Sequence, residues 1–245
     1  IFMKFNKSKY VKLDLVTTQK CIKLIKDKFQ QELIQNLSLM RVSAPILVTS
    51  SSGLQDNLNG VERTINFDIK KDGQQLEIVQ SLAKWKRAAL GRYGIPMHQG
   101  IYTDMNAVRR DDDMDELHSI YVDQWDWERV IDKKDRTIKY LKQTVDQIWE
   151  ALKETSKFLK TKIKIKNLPT LSGKVHYITT QELLKMYPNK TPKQREYEIC
   201  KKYKTVFIIG VGDKLSDGKI HDMRSPDYDD WALNGDLLVY HDVLD

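Results

Sequence analysis

The sequence predicts an α+β fold, a mostly antiparallel central sheet flanked by helices. Three observations predict it. Hairpin signals outnumber strand–helix–strand crossovers, with Asp72-Gly73 set between alternating segments near residues 65–69 and 76–79. Several segments, of which 17–36 and 138–157 are long, repeat apolar residues at helical spacing. Finally, residues 117–128 (Leu-His-Ser-Ile-Tyr-Val-Asp-Gln-Trp-Asp-Trp-Glu) are rich in aromatic and β-branched types and divide between two faces if extended.

Taken in order, residues 4–16 are a weak strand or lead-in. Thr17 and Thr18 then cap a helix carrying Ile22, Ile25, Phe29, Leu33 and Leu37, ending near Asn36. Leu39 to Val48 reads as a strand with Pro45 at an edge or a strand start. Residues 50–60 are a polar loop containing Gln55-Asp56-Asn57, followed by the Asp72-Gly73 hairpin. Ser81 can cap a short helix whose apolar face is Leu82, Trp85 and Ala89; Lys86 falls off that stripe. Ile101 to Arg109 and His118 to Glu128 form a hairpin with a long acidic tip.

Residues 129–135 turn the chain into a long helix on Ile138, Leu141, Val145, Ile148 and Leu152, ending near Lys157. Lys160 to Lys166 is a solvated connector. Thr179 to Glu182 forms a capping box for a short helix, and Thr191-Pro192 starts another that ends around Tyr203. Thr205 to Gly210 is a continuous apolar strand, hence central. An aspartate-rich loop precedes a last strand, Leu237 to Tyr240. No repeat or low-complexity linker divides the chain, so residues 1–245 are expected to be a single domain.

Composition narrows the function. No apolar run approaches the ~20 residues of a membrane span. Cys21 and Cys200 are far apart and without neighbouring partners, which disfavours a disulfide framework or zinc cluster and fits a reducing cytoplasm. The formal charge of +7 is spread over many lysines and reads as a solvated surface, with no arginine-rich arm or aromatic-basic motif for nucleic acid. The five histidines lack metal spacing, and no serine or cysteine sits in an activated-nucleophile pattern. Gly210-Val211-Gly212 fits neither phosphate-cradle spacing and reads as a turn.

Two regions carry chemistry. In 117–128, one face holds His118, Ile120, Val122, Gln124, Asp126 and Glu128, and the other Tyr121, Asp123, Trp125 and Trp127. Carboxylates and an amide beside apolar neighbours mark either an edge strand with a wet face or a pocket with partners. The loop 217–231 masses carboxylates around His221 and Arg224, suited to magnesium or an ammonium group, or is a polar surface loop.

Six segments together resemble the aspartate–ammonia ligase family, the ammonia-dependent asparagine synthetases. They are Ala44-Pro45-Ile46-Leu47, Gln55-Asp56-Asn57-Leu58, Ser81-Leu82-Ala83-Lys84-Trp85-Lys86-Arg87, residues 117–130, residues 212–231 and Leu233-Asn234-Gly235-Asp236. The resemblance runs through essentially the whole chain, and these strings are long and unusual. The family is itself similar to the catalytic core of class II aminoacyl-tRNA synthetases. It implies activation of L-aspartate by ATP with Mg2+ and release of asparagine by ammonia attack, in a homodimer.

By the same resemblance, Asp56, Ser81, Lys86, Gln124, Asp126 and Asp229 bind the amino acid. Arg109, Leu117, Ser119, Val122 and Asp236 belong to the nucleotide pocket, and Asp236 is a candidate metal ligand. Arg109, Lys86, Asp56 and Asp229 are the catalytic candidates. Whether Asp56 or Asp229 takes the proton of ammonia is left open. Family members carry a short insert where Ala232 alone joins Trp231 to Leu233. They also continue past Asp245 into a third motif, so the chain is expected to be part of a longer protein. The rival readings are a synthetase relative passing aspartate to tRNA or a protein amine, and a non-catalytic dimeric binding module.

Overall fold

The computed structural model describes residues 13–114, 118–163 and 170–241. The described residues form two compact units. One holds residues 37–136 with 224–229, the other residues up to 36, 137–223 and 230 onward.

The first unit contains two three-stranded sheets. In one, β5 (Gly100–Val108) lies between β1 (Leu39–Arg41), which is parallel to it, and β6 (Tyr121–Arg129), which is antiparallel. In the other, β4 (Gln75–Ile78) lies between β2 (Leu47–Thr49) and β3 (Ile65–Asp68), both antiparallel. The expected single strand over 39–48 is therefore two short strands in different sheets. Pro45 explains the break: it has no N–H to donate to a ladder and restricts Ala44 before it. Helix α2 (Ala83–Arg92) packs on β5 and β6. Leu82, Trp85 and Ala89 enter a core with Val48, Val79, Ile101, Met105 and Ala107.

The Asp72-Gly73 hairpin is as expected: Asp68 pairs with Gln75, and Gly73 takes the left-handed φ of 72° that the turn requires. So is the long one, where Gln124 faces Met105 and Asp126 faces Thr103 across the ladder.

The second unit has one sheet, with β8 (Thr205–Ile209) between parallel β7 (His176–Thr179) and antiparallel β9 (Gly235–Val239). All five residues of β8 are buried, as its continuous apolar run predicts. Its two faces serve two cores. Val206 and Ile208 meet Leu183 of α4 (Thr180–Met186) and Ile199 of α5 (Pro192–Tyr203). Phe207 and Ile209 meet Val145 and Trp149 of α3 (Ile138–Lys162).

Thr179 and Thr191 both complete capping boxes, with Glu182 and Gln194. Helix α3 runs five residues past the expected end at Lys157, to Lys162. The first helix, α1 (Leu15–Leu37), begins before Thr17 because Asp14 is the side chain that caps it, accepting the Thr17 N–H at 2.9 Å. Four of the six strand pairings described are antiparallel, so the α+β class holds.

Candidate active site

The candidate site gathers in the first unit, on the face of β6 that α2 covers. Asp126 and Glu128 share that face because they alternate with Trp125 and Trp127, and their ladder partners Thr103 and Ile101 are buried. Carboxylates there need a cation, and α2 supplies it. Lys86 is only 5% exposed; its Nζ contacts Asp126, donates to the Trp127 carbonyl at 2.9 Å and lies 3.7 Å from Glu128. Arg87 adds a 3.4 Å contact to Glu128. A helical wheel places Lys86 off the apolar stripe, and the structure gives the reason it is nonetheless buried. The helix has a second inward face, and that face is matched to acids.

Arg109 follows β5 at the mouth of the hairpin. Its Nε donates to the Gln80 carbonyl at 3.1 Å, which fixes the guanidinium while leaving both terminal nitrogens without a partner among the described residues. Gln80 is fully buried; its side chain donates to the Arg63 carbonyl at 2.8 Å, and its backbone N–H meets the Gln55 side chain at 3.1 Å. Gln55 also accepts the Asp56 N–H at 3.2 Å. A buried amide relay thus runs from the Asp56 loop to the support of Arg109.

Asp56 is 0% exposed, with Oδ1 on the Leu58 N–H at 2.9 Å and Oδ2 on the Tyr228 hydroxyl at 2.7 Å. Ser81 Oγ accepts the Ala83 N–H at 3.2 Å, at the start of α2. Gln124 is exposed and has no side-chain hydrogen bond among the described residues. Asp229 is half-buried, beside Tyr228. Lys84 lies 2.6 Å from Asp227 and holds its carboxyl below the usual range, helped by the Ser225 hydroxyl. Ser119 is exposed and accepts the Tyr121 N–H at 3.2 Å, while Val122 packs against the unit's core.

The first unit therefore holds Asp56, Ser81, Lys86, Arg109, Ser119, Val122, Gln124, Asp126 and Asp229. Asp236 lies on β9 in the second unit, and Leu117 falls outside the described residues. The acidic loop does not act as one cluster. His221 turns inward, its Nε2 3.0 Å from Glu196, while Asp213, Asp217 and Asp222 each accept a backbone N–H one or two residues on. No group of three or more metal-binding side chains forms among the described residues. Cys200 is buried on α5; burial and then Glu196 push its thiol up to about 11, away from nucleophilic use. Reading the chain in order missed Gln55, Gln80 and Tyr228 as supports of the site. Gln55 and Tyr228 had a signal, their places beside Asp56 and between Asp227 and Asp229; Gln80 had none.

The architecture is shared with known structures. Asparaginyl-tRNA synthetase from Pyrococcus horikoshii complexed with asparaginyl-adenylate superposes with a TM-score of 0.62 at 15% identity, over 90% of this chain and 50% of that one. The Entamoeba histolytica enzyme in complex with asparaginyl-adenylate gives 0.54 at 10% identity, over 79% and 44%. The chain thus spans about half the length of those synthetases. The fold is that of the class II synthetase catalytic core.

The particular family follows from sequence. The aspartate–ammonia ligase family model matches residues 16–245. Aspartate–ammonia ligase of Mycoplasmoides gallisepticum is 52% identical over 231 residues, 94% of this chain and 71% of that protein. The Lactiplantibacillus plantarum enzyme is 50% identical over 237 residues, 96% of this chain and 73% of that protein. The chain belongs to the aspartate–ammonia ligase family, and it is an ATP-using ligase.

Proposed function

We propose that the first unit binds L-aspartate and ATP and makes a β-aspartyl-adenylate, which ammonia converts to asparagine. The observation that carries this reading is a pair of differently held cations. Lys86 is buried against Asp126, and among the described residues Arg109 is fixed through Nε alone with its forked end open. A fork-shaped, permanently charged donor suits an α-phosphate, and a buried lysine suits the carboxylate that attacks it.

The β-carboxylate oxygen attacks the α-phosphorus and pyrophosphate leaves. No protein nucleophile is needed, so catalysis is placement plus charge stabilisation. Asp56, Ser81, Gln124, Asp126 and Asp229 hold the amino acid, with acids around its α-ammonium group. Ammonia nitrogen then bonds to the acyl carbon, AMP leaves, and a carboxylate takes the extra proton.

Leu117, Ser119 and Val122 belong to the nucleotide pocket in this reading. Magnesium would arrive on the triphosphate, which leaves only one or two ligands for protein carboxylates. The protein works as a cytoplasmic homodimer in this reading. ATP–pyrophosphate exchange dependent on aspartate tests the first step, and its absence in an enzyme that binds ATP would refute it.

A further inference from the structure

Residues 56, 87 and 228 are far apart in the chain, yet the structure joins them. A fully buried carboxylate needs donors on both oxygens. For Asp56 one is the backbone N–H of Leu58, a residue held at φ 49°, an uncommon conformation outside glycine. The other is the Tyr228 hydroxyl at 2.7 Å, its one side-chain donor among the described residues. Burial first, and then Asp56 itself, push the Tyr228 phenol well above the tyrosine range, so it remains an O–H donor at neutral pH.

Tyr228 is in turn seated by α2. Arg87 Nη1 donates to its carbonyl at 2.9 Å, and the guanidinium stands 5.5 Å from its ring centroid. The adjoining Asp227 takes Lys84 at 2.6 Å and the Ser225 hydroxyl at 2.7 Å. One short helix therefore does two things. Lys86 faces β6, while Lys84 and Arg87 fasten residues 225–228.

We propose that Tyr228 is a positioning residue: its hydroxyl sets the Asp56 carboxylate to receive the α-ammonium group of aspartate, and Arg87 seats Tyr228. This rests on the pocket assignment above. Tyr228→Phe deletes one oxygen and leaves the ring, so Asp56 loses its aim and little packing.

In the whole enzyme, Tyr228→Phe should raise the KM for aspartate in ATP–pyrophosphate exchange on the order of ten-fold, the effect of one hydrogen bond to a charged group. The KM for ATP should stay within about two-fold, since only amino-acid binding is touched. Arg87→Gln should move aspartate KM the same way and Arg87→Lys should recover part of it. Melting temperatures taken alongside identify a variant that merely unfolds. Equal rises in both KM values, or an unchanged aspartate KM beside an active wild type, would overturn the proposal. A wild type that exchanges nothing with aspartate would instead overturn the ligase chemistry and this proposal with it.

Discussion

Lys86 and Arg109 are cations of opposite design. Lys86 has most of its donors committed inside the protein, so it has a structural role beside the substrate role proposed for it. Lys86→Met should abolish exchange and also cost roughly 2–3 kcal/mol of stability, because it strands Asp126 in a half-buried site. Chemical denaturation of the variant measures that cost. Among the described residues, Arg109 spends only Nε on the protein. Arg109→Ala should cut adenylate formation by about 10²-fold or more with little change in melting temperature. Exchange near the wild-type rate would remove Arg109 from the nucleotide site. The residue types at 86, 109 and 126 were legible because their strings are distinctive. The burial of Lys86 was not, because a periodicity argument counts apolar neighbours and cannot see acids arriving from β6 forty residues later.

At the scale of elements, turns and caps were the legible parts, since Asp72-Gly73, Thr179 and Thr191 act through their immediate neighbours. Strand breaks were less so: Pro45 read as an edge or a strand start, and β2 does start just after it, but the switch between two sheets was not visible. Close approach was invisible. A Cβ on Gly235 would sit 2.2 Å from the Ile208 carbonyl oxygen and 2.6 Å from the Phe207 ring. Gly235→Ala should therefore force β9 off β8 and destabilise by roughly 2–3 kcal/mol, read as a lowered denaturant midpoint. The Glu196–His221 pair offers a pH test. Burial raises the Glu196 carboxyl, but the His221 and Lys193 contacts outweigh it and leave it below the ordinary 4.5. A depressed carboxylate stabilises above pH 4.5, and that contribution is lost as pH falls through its lower folded value. Glu196→Gln should flatten the stability curve in that acid window, and an unchanged slope would mean the pair contributes nothing.

At the scale of the whole molecule, family and fold were legible because distinctive strings recur across most of the chain. The division into two compact units was not, since residues 224–229 join the first unit from late in the sequence. The apolar positions of α1 are divided between inside and outside. Phe29 and Leu33 are buried within the chain, at 8% and 1%, whereas Leu15, Val16 and Ile22 are exposed. If a homodimer forms, Ile22 rather than Phe29 is the position where a charge should weaken it, and sedimentation of Ile22→Glu beside wild type measures this.

The central claim is that aspartate is activated as an adenylate and captured by free ammonia. Nucleotide and amino-acid products should be quantified together for the whole enzyme given ATP, magnesium, aspartate and ammonium, with no RNA present. Asparagine and AMP should appear in equal amounts, with glutamate rejected because its extra methylene misplaces the attacking carboxylate. Production of ADP in place of AMP, or a strict requirement for tRNA, would contradict it.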